Sequence, residues 1–183
     1  MPSERTDRRA AYVDKATVEL RGLVEEGVVM SGNAFSQVLL AKGQPDAGEL
    51  PERLLAGADG EALRAALAAL GYAPEDWVGL ATCDADGTAL DSQTLRLAVT
   101  ALDPATVIAL DDAAAGALRE AYGPELVALP DLQAAMLAPG VVAQVAGMRM
   151  MGLGGFEAAL ADKPAKQLMW ARLKQVRPLG EPF

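Results

Sequence analysis

The run from Ser92 to Gly123, SQTLRLAVTALDPATVIALDDAAAGALREAYG, constrains this chain more than any other stretch. Leu95, Val99 and Leu102 recur at helical spacing until Asp103-Pro104 stops them. Thr106 to Leu110 is then a short apolar run rich in β-branched residues. Beyond it Ala114, Leu118 and Tyr122 resume the helical period up to the terminator Gly123. The reading is helix, strand, helix. TVIAL carries no charge at either parity, so both faces of that strand need cover. Parallel neighbours joined by crossover helices supply such cover.

The remaining segments provide those neighbours. Residues 1–10 read as a flexible tail, and Val13, Ala16, Leu20 and Leu23 then mark an amphipathic helix closed by Gly27. A turn through Ser31-Gly32-Asn33 leads into the first core strand, Phe35 to Ala41. Asp59 is placed to cap a helix bearing Leu63, Ala66, Leu67 and Leu70, which Gly71 ends. Trp77 to Ala81 reads as the second strand, Glu125 to Leu129 as a further strand, Asp131 to Leu137 as a short helix and Val141 to Val145 as another strand. Asp162 caps a last helix with Pro164 in its first turn and Leu168, Trp170 and Leu173 as apolar contacts. The expected fold is one α/β domain over 11–183, a three-layer α/β/α sandwich with a mostly parallel sheet of four or five strands. Ligands in such sheets sit beyond the carboxyl ends of the strands. The loops to examine are therefore Lys42 to Glu49, Thr82 to Ser92, Asp111-Asp112 and Ala146 to Gly155.

Composition narrows the chemistry. The 183 residues are 51% hydrophobic and 22% charged, which is globular, and the formal net charge of -9 opposes generic binding to nucleic acid or an anionic membrane. Histidine is absent and Cys83 is the single cysteine, so an intrachain disulfide and a multi-cysteine metal site are both excluded. General acid-base work would fall to carboxylates, Lys or Tyr. No cofactor, no bound metal and no iron-sulfur cluster are expected. The start, MPSERTDRRA, lacks a following apolar segment, and no run reaches membrane-spanning length, so the expected location is the cytoplasm with no membrane partner.

Each candidate residue has two readings. In Lys42, Gly43, Gln44, Pro45 and Asp46, the lysine and the backbone N–H groups could meet an anion, although no Gly-Lys-Ser/Thr ends the loop as in a P-loop; the alternative is a solvated loop. Asp84, Asp86 and Asp91 follow a strand in DADGTALD. This resembles the nucleophile loop of haloacid-dehalogenase-type phosphatases, in which Asp84 would attack phosphorus, Asp86 would act as acid and both would lie near Mg²⁺. The alternative is an acidic turn with Gly87 at positive φ and an Asx contact from Asp86. Asp111 and Asp112 are either an acid-base or metal pair, or a helix cap at Asp112 with Asp111 as its solvated neighbour. Cys83 reads as a buried small hydrophobe, and Trp77 and Trp170 as packing residues. Lys163, Lys166, Arg172, Lys174 and Arg177 make the C-terminal part locally basic. They suit DNA phosphates, an acidic partner, or simply solvent.

The order of these features resembles the uracil-DNA glycosylase superfamily, in particular its small iron-sulfur bacterial branch. The Gly32-Asn33 turn, the strand after it, Pro45 and Glu49 in SGNAFSQVLLAKGQPDAGE carry the first part of the resemblance. LAALGYAPEDWVGLAT, LRLAVTALDPATVIALDDAAAGAL and GGFEAALADKPAKQLMWARLKQV, the last with Lys166 and Trp170 in register, carry the rest, so that it spans Gly32 to Val176. The resemblance implies a glycosylase fold and, in the family, excision of uracil from DNA.

The family's reaction groups are replaced. Where the resemblance implies a carboxylate that places the water, this chain has Lys42 and Gly43. The base-stacking aromatic expected between Glu49 and Gly60 is missing. The uracil-reading Asn falls at Ala81 or Thr82, the His-bearing loop has become Gly152, Gly154 and Gly155, and the four cluster cysteines reduce to Cys83. At the Asp111 position the family typically has Gly, so a carboxylate there narrows the pocket. The expectation is a catalytically degenerate or strongly diverged glycosylase-like protein that acts in binding, with DNA or another protein as partner. Lys42, Gly43, Gln44, Pro45, Thr82, Asp111 and Gly154 would line its ligand site, and Lys163, Lys166 and Lys174 would meet nucleic acid. Two other readings stand beside it: a working DNA glycosylase with replaced groups that uses Asp46 or Asp84 to orient water, and a Mg²⁺-dependent small phosphohydrolase.

Overall fold

The computed structural model describes residues 4–180. In chain order the elements are α1 (Glu4–Glu25), β1 (Met30–Gly32), β2 (Val38–Lys42), α2 (Ala58–Leu70), β3 (Val78–Ala81), α3 (Ser92–Leu102) and β4 (Thr106–Ala109). There follow α4 (Asp112–Ala121), α5 (Gly123–Val127), α6 (Leu132–Ala135), β5 (Ala143–Val145), β6 (Met148–Gly152), α7 (Phe156–Ala159), α8 (Lys163–Leu173) and a 3-10 turn at Lys174–Val176.

Every residue of β4 is buried, and it pairs in parallel with β2 on one side and β6 on the other. The sheet has six strands rather than the expected four or five, in the order β1-β3-β2-β4-β6-β5, with parallel pairing from β3 to β6 and an antiparallel strand at each edge. Alternate residues of the central strands feed two separate cores. Leu39, Ala41, Val107, Ala109 and Met150 pack with Leu95, Val99, Ala114 and Leu118 of α3 and α4. Val38, Leu40, Ile108 and Met151 face the opposite way, toward Leu63 and Leu67 of α2 and Met169 and Leu173 of α8. Helices therefore cover both faces of the sheet, the arrangement that a charge-free TVIA requires.

The structure corrects several local readings. Residues 1–10, read as a tail, are helical from Glu4 onward, while residues 1–3 and 181–183 lie outside the described residues. Ser31 and Gly32 belong to the edge strand β1, and the Asx turn follows at Asn33, whose Oδ1 accepts the Phe35 N–H at 3.0 Å. Gly32 has φ +79°, and a Cβ there would lie 2.8 Å from the Trp77 carbonyl, so the position requires glycine. The stretch read as a strand at Glu125 to Leu129 is α5, because Gly123-Pro124 sets Pro in a first helical turn. Val141 to Val145 contributes only the edge strand β5, and the interior parallel strand is β6, within the segment read as a loop. Ala146 (φ +48°) and Gly147 (φ +82°) join the two as a two-residue hairpin with both residues left-handed. In α8 the buried seam is Met169 and Leu173, spaced i,i+4, so Leu168 and Trp170 flank it and remain exposed. Asp162 does cap that helix, accepting the Ala165 N–H at 3.0 Å.

Val107 has no solvent exposure and sits between two parallel neighbours. Val107→Asp is expected to destabilise the protein by about 4 kcal/mol or more, because the carboxylate has no partner in the core. Urea unfolding that shows less than about half that loss would contradict the interior placement.

Candidate functional site

The parallel strands end at one side of the sheet, where β2 stops at Lys42 and β4 runs on into Leu110 and Asp111. A cleft of about 480 Å³ opens there, closed across by Gly155, Phe156 and Glu157 at the start of α7. It lies where the topology of an open parallel sheet places ligands.

Lys42 continues the side of β2 that faces α2 and α7, and its side chain is buried among carboxylates. Its Nζ donates to Glu49 Oε2 at 2.8 Å and Oε1 at 3.1 Å and to Asp59 Oδ2 at 2.7 Å, and lies 3.4 Å from Glu157 Oε2. The remaining acceptor capacity is used by backbone. Glu49 Oε2 accepts the Asp46 N–H at 2.7 Å, Glu49 Oε1 the Leu55 N–H at 3.0 Å, and Asp59 Oδ1 the Gly60 N–H at 2.8 Å. Burial alone would lower the Lys42 pKa, but the bonds and charges of Asp59 and Glu49 outweigh it, and the pKa is raised well above the usual lysine value. This ammonium is therefore neither a free phosphate ligand nor a base. Asp59, read as a helix cap, is instead an ion-pair partner, and the N-cap position of α2 is Gly57.

A second buried carboxylate fixes the other wall. Asp111 accepts the N–H groups of Gly43 at 3.0 Å, Gln44 at 2.9 Å and Ala114 at 2.8 Å. The backbone donors expected to cradle a bound anion are thus occupied by the chain's own carboxylate. Asp111, not Asp112, is the cap of α4 and is buried, while Asp112 is exposed. Gly43 permits this contact, since a Cβ there would fall 2.5 Å from the Ala114 nitrogen.

What remains open lies at the rim. Asp46, Gln44 and Glu157 are exposed and line the cleft together with Pro45. Glu157 has a raised pKa, first because its carboxyl shares a hydrogen bond with that of Asp46 and then because of burial, with Lys42 pulling the other way. Phe156 lines the cleft as its aromatic residue and is itself buried against the α7–α8 core.

Against known proteins, the chain matches no protein-family model and no curated sequence.

Other candidates lie elsewhere. Thr82 is buried and donates its N–H to the Lys42 carbonyl at 2.9 Å, behind the cleft. Gly154 packs on Pro139 (a Cβ there would sit 3.0 Å from its Cγ), and its neighbour Gly155 lines the cleft instead. Asp84 is in a separate turn, where Oδ1 accepts the N–H groups of Asp86 and Thr88 at 2.9 Å each. The Asx contact therefore belongs to Asp84 rather than Asp86. Among the described residues no group of three or more His, Cys, Asp or Glu side chains is arranged to hold a metal ion, and no helix is long and apolar enough to cross a membrane. Cys83 is buried, and burial, with Asp84 and Asp111 adding to it, pushes its thiol pKa up. Lys163, Lys166 and Lys174 are exposed on or beside α8. Sequence reasoning missed Glu157, Asp59 and Phe156 as site residues. The signal for two of them was the FE pair that follows Gly154-Gly155.

Removing Lys42 tests the cluster. Lys42→Met leaves Glu49 and Asp59 buried without a counter-charge and is expected to cost about 3–5 kcal/mol. Lys42→Met with Glu49→Gln and Asp59→Asn should recover much of that loss. Because the folded Lys42 pKa is raised, its contribution is fully present below the unfolded value of about 10.4 and is lost as pH rises through the folded value. Chemical unfolding at neutral pH and above pH 10 reads both effects. For Glu157 the folded pKa is also raised, so its contribution is present below about pH 4.3 and is lost as pH rises through the folded value. Glu157→Gln keeps a donor for Asp46 and should remove that slope. An unchanged pH profile in the variant would contradict the shared bond.

Proposed function

We propose that the chain is a strongly diverged, catalytically silent relative of the uracil-DNA glycosylases that acts as a binding module. The observation that carries the reading is the state of the carboxylates at the strand ends. A glycosylase must place and activate a water, hold a flipped base and stabilise the departing anion. Glu49 and Asp59 are engaged by Lys42, and Asp111 is engaged by three backbone N–H groups. Asp46, at the rim, shares a bond with the Glu157 carboxyl and has no imidazole opposite it to read or stabilise a base. Losing one donor to a developing anion costs roughly 10²–10³ in rate in other enzymes, and here several such groups are replaced.

The order of segments supports the kinship. The Gly32-Asn33 turn precedes β2, the loop after β2 opens on the cleft, and the helix, Pro, strand and Ala-rich helix of the resemblance are α3, β4 and α4. A protein partner is favoured over DNA. The cleft carboxylates Asp46, Asp59, Asp111 and Glu157 outnumber Lys42, and the whole chain carries -9. The basic residues Lys163 and Lys166 on α8 and Lys174 in the turn after it lie outside the cleft lining.

Single-turnover assays with enzyme in excess over uracil-containing single- and double-stranded oligonucleotides, followed by alkali, are expected to show no strand breaks above background. Breaks that vanish in Asp46→Asn would overturn the reading and establish a rewired glycosylase. Oligonucleotide retention that weakens steeply with salt and with Lys166→Glu or Lys174→Glu would shift the partner from protein to DNA. Phosphate release from a small phosphoester, lost in Asp84→Asn, would establish the phosphohydrolase alternative.

A further inference from the structure

We propose that the furrow between α1 and α3 is a docking site for an amphipathic helix of another protein, one with large aliphatic residues along its apolar stripe and Lys or Arg on its flanks. This surface is separate from the strand-end cleft and goes beyond the reading of that cleft.

The argument begins with how little α1 buries. Between residues 10 and 25 only Ala16 and Leu23 are buried, and Tyr12, Val18 and Val24 are more than half exposed at 57%, 66% and 56%. A helix that packs through one narrow seam draws little stability from tertiary contact, even with Leu20 against the edge of the core and Tyr12 against Phe35. The furrow beside that seam has two adjoining hollows of about 420 and 350 Å³, which share Glu19, Thr100 and Ala101. Small residues make its floor: Ala16, Ala101 and Gly22, where a Cβ would meet no heavy atom within 4 Å. Such a floor accepts large side chains from a partner. Leu97, half exposed, forms one apolar wall, and Tyr12, tilted against Phe35 at 6.4 Å between ring centroids, closes one end.

Charge selects the flanks of the occupant. Glu19, Glu26 and Asp103 rim the two hollows, and the single cation in their lining, Lys15, lies 3.8 Å from Glu19. An acidic rim around an apolar floor matches a basic amphipathic helix and rejects an acidic one. From Tyr12 to Glu26 the furrow runs along about 21 Å of α1, or roughly four turns of a docked helix.

The test uses a fluorescent peptide of about 18 residues, with Leu along one helical face and Lys elsewhere, and a scrambled peptide of identical composition that breaks the stripe. Anisotropy titrations are run on the full chain and three variants. Gly22→Leu fills the floor without altering charge and should not lower the melting temperature, since its Cβ position is open. Glu19→Lys with Glu26→Lys reverses the rim, and Glu52→Lys with Glu61→Lys makes the same net change beside the α2 core on the opposite face.

The expected result is binding of the striped peptide but not the scrambled one. Affinity should fall about tenfold or more in each of the first two variants and stay within about twofold in the third. Equal binding of the scrambled peptide, unchanged affinity in Gly22→Leu, or an equal loss in the third variant would overturn the proposal in favour of non-specific attraction to an acidic body. Sedimentation showing a dimer that Gly22→Leu dissociates would also overturn it, assigning the furrow to a second copy of the chain. None of these results depends on uracil excision, so this proposal and the reading of the cleft fail separately.

Discussion

One ammonium group, Lys42 Nζ, joins the end of β2 to the loop after it through Glu49, to the start of α2 through Asp59 and to the start of α7 through Glu157. Glu49 and Asp59 follow Lys42 within 17 residues and Glu157 is distant in sequence, and the apolar core beneath them ends where the strands end. Beyond that line the chain has no sheet ladder to satisfy its backbone, and the carboxylates of the cluster take over. Glu49 holds the N–H groups of Asp46 and Leu55 while it holds the lysine. The shape of the cleft therefore follows from where one buried cation finds its counter-charges.

Asp111 acts on the other wall by the same logic. A helix begins there and its first N–H groups need acceptors; the loop after β2 crosses within hydrogen-bond reach because Gly43 has no side chain in the way. One carboxylate then serves both segments. The two buried groups leave the cleft built but internally engaged, with its exposed acids at the rim.

Much of the fold was legible because it rests on simple periodicities. TVIAL could only be an interior strand, and Leu95, Val99 and Leu102 could only be one face of a helix. The part that was not legible has specific physical causes. Met148–Gly152 lacks β-branched residues, and its hairpin turn is Ala146-Gly147 rather than Asn-Gly or Asp-Gly, so an interior strand read as a loop. Glu125–Leu129 is a short apolar run of strand length, yet the preceding Gly123-Pro124 starts a helix whose Glu125 pairs with Arg96 across to α3. Of the site, the loop Lys42–Asp46 and Asp111 were placed correctly at the strand ends. Their mutual occupation was not readable, because Lys42 with Asp59 and Asp111 with Gly43 are contacts across sequence distance that composition and spacing do not encode.

The cost of the cluster bears on why it stands where it does. Burying an ammonium and two carboxylates carries a desolvation penalty of several kcal/mol per ion, which their attraction offsets only when geometry and additional hydrogen bonds are good. In this cluster Glu49 and Asp59 do have all four oxygens engaged, by Lys42 and by backbone. Even so, a plug of well-packed aliphatic residues would hold the same segments together at least as well. What aliphatic packing would not do is fix direction. Bonds from one Nζ to Glu49 and Asp59 instead tie the loop after β2 and the start of α2 to a single point at defined distances. The strand-end loops are the part of an open sheet with the fewest ladder bonds to set their course, and here side-chain carboxylates supply bonds that the ladder does not.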